Sequence, residues 1–220
     1  MAHDFAYGRT ELEHLRNADA AFARLIDYYD SHGILPRRPV EDDPFVALVR
    51  AINDQLISLK AASSIWGRIC AIAGDPPTPA TLASLAPEAL HSCGTTRKKA
   101  EYMCGIARMV VDGELDLDAL RSAPDAEIER RLVALRGIGK WTAEMLLIHA
   151  FERADVISFG DAGIRRGMCM LYGLAPDELT QARFEELSAP YHPFSTVASI
   201  YLWQLSKEGP ETVAELAARH

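Results

Sequence analysis

Helix punctuation runs through this 220-residue chain almost without a break, and it leaves room for little except helices. Thr10-Glu11-Leu12-Glu13 has the spacing of a capping box and opens a helix expected to run to Gly33. Leu35 to Asp43 is a proline-rich, charged connector. Asp43-Pro44 then supplies an N-cap and a first-turn proline, with Phe45, Leu48, Val49 and Ile52 at helical spacing behind it. Ser58 caps the next helix, which ends at Gly74. Short helices follow Pro79 and Pro87, and Thr95 or Thr96 opens a longer one that ends near Gly113. Further helices are predicted over 124–134, 140–151, 161–172, 180–189, 194–207 and 211–218. Val156-Ile157-Ser158-Phe159 is the one candidate strand. The fold class is therefore all-α. Two packed helical subdomains with a cleft between them are expected: a central bundle over 44–122, and a terminal subdomain of 1–43 plus 123–220.

Composition excludes several classes. No apolar run approaches the ~20 residues of a membrane span, and the first residues show neither a basic nor an apolar leader segment, so a cytoplasmic protein without membrane association is expected. Cysteines at 70, 93, 104 and 169 are separated by 23, 11 and 65 residues. That spacing matches no C-x-x-C metal site and no four-cysteine iron–sulfur loop, and reads as buried or idle thiols. The net charge of −8 argues against broad, nonspecific coating of nucleic acid. Three short cationic clusters stand out within it: Arg97-Lys98-Lys99, Arg136 with Lys140, and Arg165-Arg166.

The stretch Leu135-Arg136-Gly137-Ile138-Gly139-Lys140-Trp141-Thr142-Ala143 is the strongest pointer to chemistry. Gly137 and Gly139 permit a tight turn with positive φ just before a helix. Such a turn aims backbone N–H groups out of the helix end, where a phosphate binds readily, and Lys140 adds a cation. On the helix that follows, Ala143, Leu146, Leu147 and Ala150 form a core face, while Trp141, Met145 and His149 share another. Asp161, 24 residues after Gly137, follows Gly160 and opens a helix. An N-cap role and a catalytic role are compatible there, because the helix end both positions a carboxylate and keeps it ionised. On helix 194–207, Phe194, Val197, Ala198, Tyr201, Leu202 and Leu205 form one apolar stripe. Trp203 falls off that stripe and needs another neighbour.

The run from 135 to 161 resembles the helix–hairpin–helix and Gly/Pro…Asp signature of the HhH-GPD superfamily of base-excision DNA glycosylases. Three further blocks resemble its 3-methyladenine DNA glycosylase II branch. They are Pro44-Phe45-x-x-Leu48-Val49-Arg50-Ala51-Ile52 with Gln55-Leu56-Ile57-Ser58, then Gly94-Thr95-Thr96-Arg97-Lys98-Lys99-Ala100, then Pro193-Phe194-Ser195-Thr196-Val197-Ala198-x-x-Tyr201-Leu202-Trp203. The blocks occur in the branch's order across about 44–205.

The resemblance implies a role for each matching residue. Asp161 falls at the catalytic aspartate. Trp141 stands where members that also cut the strand have a Schiff-base lysine, which implies a monofunctional enzyme that leaves an abasic site. Trp203 matches the aromatic flanking the expelled base, and Met145 replaces a tyrosine that some relatives place in the base pocket. Leu56 matches the apolar wedge that fills the gap left by the extruded nucleotide. Gly137, Gly139, Lys140 and Thr142 are implied as phosphate contacts. The backbone carbonyls of Val133, Leu135 and Ile138 are implied to hold a sodium or potassium ion, with no other cofactor required. The partner implied is double-stranded DNA with damaged bases, bound by a monomer that is nucleoid-associated when on DNA.

Such an enzyme removes alkylated purines. Alkylation at N3 or N7 makes a purine cationic and a good leaving group, so no strong general acid is needed. An ionised Asp161 stabilises the oxocarbenium-like sugar and orients or deprotonates water. Indole faces favour a cationic base by roughly 0.5–2 kcal/mol each. Two alternatives remain at this stage: a non-catalytic helix–hairpin–helix DNA-binding module, and a glycosylase for another damaged base.

Overall fold

The computed structural model describes residues 3–218. In chain order the helices are α1 (Arg9–Ala18), α2 (Ala20–Ser31), α3 (Pro44–Asp54), α4 (Leu59–Ala73), α5 (Pro79–Ser84), α6 (Pro87–Ser92) and α7 (Arg97–Val111). They continue with α8 (Leu117–Leu120), α9 (Asp125–Val133), α10 (Lys140–His149), α11 (Ala162–Tyr172), α12 (Gln181–Ser188), α13 (Ser195–Leu205) and α14 (Pro210–Ala218). Strands among the described residues are limited to His3–Asp4 and Pro39–Val40, so the class is all-α as expected.

Most boundaries are set by the local chemistry that predicts them. The Asp43 side chain accepts the Phe45 N–H (2.8 Å) and Ser58 the Ala61 N–H (3.3 Å), so α3 and α4 begin where their caps stand. Of the two candidate threonines, Thr96 caps α7, through the Lys99 N–H at 3.3 Å. Gly173, at φ 64°, closes α11 in the left-handed conformation.

Three local expectations fail. The single helix to Gly33 is two helices, because Asp19 takes an extended conformation between them and its side chain caps α2 at the Phe22 N–H (2.7 Å). The box at its start is also displaced: Gly8 is the N-cap, and Glu11 reaches back to its N–H at 2.8 Å. Nor is 156–159 a strand. The Val156 N–H goes to Thr196 Oγ1 (3.0 Å) and its carbonyl receives the Ser199 hydroxyl (2.9 Å), so side chains of α13 satisfy a backbone that a partner strand would otherwise pair.

The chain divides into two compact units, one of Glu41–Phe151 with His3, the other of Asp4–Val40 and the segment from Glu152 onward. The boundaries therefore fall near 40 and 151 and not at 43 and 122. α9, the hairpin and α10 belong with the central helices, and not with Asp161 as expected, because α9 packs on α10 and α10 on α3.

In the first unit α7 is the central strut, packed by α3, α5 and α6, with Ala100, Met103, Cys104, Ile106 and Ala107 buried along it. The core face of α10 (Ala143, Leu146, Leu147, with Ala150 after it) is buried as its pattern predicts. In the second unit α13 is buried from Ser195 to Trp203, around its whole circumference. Its small hydroxyls tolerate this because they are bonded: Ser195 Oγ donates to Asp155 Oδ1 (2.5 Å), Thr196 Oγ1 to the Arg153 carbonyl (2.6 Å), and Ser199 Oγ to the Ser195 carbonyl (3.0 Å). All four cysteines are free. Cys93 and Cys104 are buried, and burial pushes every one of the four thiols above its ordinary pKa, in keeping with idle thiols.

Candidate active site

In the second unit, α11 and α13 approach closely because glycines face the contact. A Cβ on Gly167 would lie 2.2 Å from the Leu202 carbonyl oxygen. One on Gly163 would lie 2.9 Å from Trp203 Cδ1 and 3.2 Å from Asp161 Oδ1. Two glycines inside a helix cost about 1 kcal/mol each relative to alanine. Here they admit the indole beside the N-terminus of α11.

Asp161 caps that N-terminus. Its Oδ1 accepts the Ile164 N–H at 2.8 Å and also the Trp203 Nε1–H at 2.8 Å, and the residue is only 9% exposed. Local sequence allows the first bond; the second spans 42 residues. Two N–H donors on one oxygen, at the N-terminus of a helix, fix the direction of the carboxylate.

Trp203 is 6% exposed, and the Arg38 guanidinium carbon stands 4.2 Å from its ring centroid. Arg38 Nε is buried with no hydrogen-bond partner among the described residues. Burial lowers the Arg38 pKa, and the negative charge of Asp161 opposes that shift. Arg38 thus covers one face of Trp203, and the indole N–H is committed to Asp161. Arg38 lies in the charged connector, where nothing in the sequence distinguishes it from Arg37.

The hairpin of the first unit is built between α9 and α10. Leu135 N–H bonds to the Leu132 carbonyl (3.0 Å) and Ile138 N–H to the Leu135 carbonyl (3.2 Å). Only Gly137 has a positive φ, 93°; Gly139 is extended at φ −92°. A Cβ on Gly137 would also strike the Tyr102 ring, 2.3 Å from Cδ2, whereas one on Gly139 would meet nothing within 4 Å. Gly137 is thus required by the chain itself. Gly139 leaves open space at the start of α10, where the first bond into the helix is from Ala143 N–H to Gly139 O (3.0 Å) and the preceding N–H groups point out of the helix end.

Lys140 is well exposed, with Nζ 3.8 Å from Glu144. Thr142 is 5% exposed, and its hydroxyl oxygen accepts from Gln55 Nε2 at 3.4 Å. Trp141 is 43% exposed; Met145 and His149 on the same face are half-buried. Val133 ends α9, the side chains of Leu135 and Ile138 are buried, and the Leu135 carbonyl accepts the Ile138 N–H within the turn.

Leu56 lies between α3 and α4 with its side chain fully exposed and φ at 56°, in the left-handed region that leucine rarely adopts. Leu59 is also highly exposed, which no sequence signal anticipates. A separate cavity of about 630 Å³ in the first unit is lined by Asp42, Asp43, Asp116 and Asp118 among others. It includes none of the residues expected to carry chemistry, and Asp43 and Asp116 are helix caps.

This combination of a glycine hairpin opening one helix and a capping aspartate opening another coincides with a family match. A profile of HhH-GPD superfamily base excision DNA repair proteins matches residues 49–192. The chain belongs to the HhH-GPD superfamily. Among similar members, DNA-3-methyladenine glycosylase 1 of Schizosaccharomyces pombe is 32% identical over 200 residues, 88% of this chain and 86% of that protein. The crystal structure of DNA-3-methyladenine glycosidase from Bacillus halodurans superposes with a TM-score of 0.79 at 30% identity, covering 100% of both chains. That of the S. pombe 3-methyladenine DNA glycosylase in complex with abasic DNA gives 0.78 at 29% identity, covering 91% of this chain and 98% of that one.

Proposed function

We propose that this HhH-GPD protein is a monofunctional DNA glycosylase that releases alkylated purines, of the 3-methyladenine and 7-methylguanine type, from duplex DNA. The observation that carries the reading is the Asp161 carboxylate, held by the Ile164 and Trp203 N–H groups at the N-terminus of α11. A helix cap accounts for the bond to Ile164, whereas the second bond, to Trp203, goes beyond what capping requires. Relatives named as 3-methyladenine glycosylases support the substrate class.

In this mechanism Asp161 stabilises the oxocarbenium character of the sugar as the glycosidic bond stretches, and directs water to the sugar carbon. An alkylated purine departs as a neutral base, so the chain need not deliver a strong acid. Trp141 offers its exposed face to a cationic base, with Met145 beside it on α10. Because position 141 holds an indole and not an amine, no Schiff base forms there and the strand stays intact. Leu56 occupies the space vacated by the extruded nucleotide. The open α10 N-terminus at Gly139, with Lys140, grips a DNA phosphate. The backbone carbonyls of Val133, Leu135 and Ile138 would be the groups that hold a sodium or potassium ion, which would supply positive charge to the hairpin. The protein acts as a monomer on DNA, in the cytoplasm and on the nucleoid.

The test is mass-spectrometric identification of bases released from methylated duplex DNA, with Asp161→Asn as control. Release of methylated purines, lost in the variant, together with unbroken strands in the absence of alkali, is the expected result. Turnover retained by Asp161→Asn, or strand breaks without alkali, overturns the mechanism.

A further inference from the structure

The exposed Leu56 side chain does nothing to hold its own left-handed backbone. The restraint comes from its neighbours in the first unit. Lys99, on α7, donates from Nζ to the carbonyls of Asn53 (2.9 Å) and Gln55 (2.5 Å). These carbonyls lie at the end of α3, where helix geometry provides no N–H to meet them and where the helix dipole favours a cation. The Gln55 side chain reaches the other way: its Nε2 donates to the Gly137 carbonyl at 3.0 Å and lies 3.4 Å from Thr142 Oγ1. Tyr102, three residues after Lys99 on α7, fills the space against Gly137. One helix therefore carries both the loop at Leu56 and the hairpin turn.

We infer that Lys99 and Gln55 are positioning residues that lock the Leu56 loop in its left-handed form and fix it to the hairpin. The apolar wedge and the phosphate grip are thereby held at one spacing before DNA arrives. Preorganisation of this kind spares the loop the ordering that insertion otherwise requires. It also divides the Arg97-Lys98-Lys99 cluster, since Lys99 serves the fold of the wedge and not the DNA backbone. The inference rests on the glycosylase reading only in taking Leu56 as the group that enters the duplex.

The full chain is mixed with a duplex carrying an abasic-site analogue beside 2-aminopurine, whose fluorescence rises when its stacking is broken. Wild type is expected to raise the signal, and Leu56→Ala to abolish most of it. Lys99→Met and Gln55→Leu are each expected to lower the insertion equilibrium about tenfold, the loss typical of a charge-assisted or buried hydrogen bond. Lys99→Arg, which keeps the donors, restores most of it. In a Leu56→Ala background, Lys99→Met is expected to cause no further loss of signal, although it still lowers the unfolding temperature. Equal losses in the two backgrounds, or full insertion by Lys99→Met and Gln55→Leu, overturn the proposal. Should Lys99→Met fail to fold, Gln55→Leu decides alone. A wild-type protein that gives the signal but releases no base sinks the glycosylase reading and leaves the brace standing; one that gives no signal sinks the brace.

Discussion

Trp203 donates its indole N–H to Oδ1 of Asp161 at 2.8 Å, across 42 residues of chain. The same oxygen already caps α11 through Ile164, so the fold and the proposed chemistry use one carboxylate. Trp203→Phe keeps an aromatic ring, though a smaller one, and removes the donor. Single-turnover base release is expected to slow about tenfold, the effect of one hydrogen bond to a charged group, with little change in DNA affinity. Unchanged rates would show the bond to be structural only.

Asp161→Asn separates the cap from the acid. Asparagine caps helices as well as aspartate does, so its cost in thermal unfolding is expected to stay below about 1 kcal/mol. Base release should fall below detection while binding to abasic duplex persists. Chemical denaturation and an electrophoretic binding assay measure the two sides independently.

The two hairpin glycines are expected to behave differently. Gly137→Ala places a Cβ against the Tyr102 ring and strains a positive φ, so a loss of about 1–3 kcal/mol in stability is expected. A Cβ at position 139 meets nothing within 4 Å among the described residues. The unfolding midpoint of Gly139→Ala should match wild type, whereas its DNA affinity drops because the methyl group obstructs the phosphate. Equal affinity in a fluorescence anisotropy titration would remove Gly139 from the grip.

Trp141→Lys tests whether an amine at this place suffices for strand cleavage. No covalent adduct on borohydride reduction is expected, because a Schiff-base lysine also needs a lowered pKa, and position 141 is 43% exposed. Trp141→Ala is expected to leave stability within about 0.5 kcal/mol, as for exposed positions generally. Its excision of 7-methylguanine, cationic while in the nucleoside, should fall more than that of neutral hypoxanthine, which liquid chromatography of the freed bases resolves.

Arg38 buries an Nε–H without a partner while its guanidinium covers Trp203. A methionine there keeps an apolar stem and removes the unpaired donor. Stability is expected to change by no more than about 1 kcal/mol, in either direction. Base release, by contrast, should slow as the indole loses its cover and its fixed direction. A variant as active as wild type would limit Arg38 to packing.

Much of this was legible along the chain where causes are local. Asp43, Ser58, Thr96 and Asp161 each cap the helix their spacing announces, and Gly173 ends α11 as a left-handed glycine does. The break at Asp19 is masked in the sequence by helical periodicity that continues across it, although an aspartate three residues before Phe22 is itself a cap signal. The segment 156–159 has strand-like residues, yet α13 satisfies its backbone, and nothing local reveals that. Thr142 reads as part of a phosphate loop, but its hydroxyl turns to a glutamine 87 residues earlier.

The sequence by itself determined an all-α chain, the places where most helices start and stop, the hairpin and the aspartate, because capping and backbone preference act within a few residues. Tertiary structure alone decided what stands around them. It set Trp203 and Arg38 beside Asp161, tied Gln55 and Lys99 to the Leu56 loop, and grouped the hairpin with the central helices. Those are contacts between side chains far apart in sequence, made where glycines let helices approach, and no local preference encodes them.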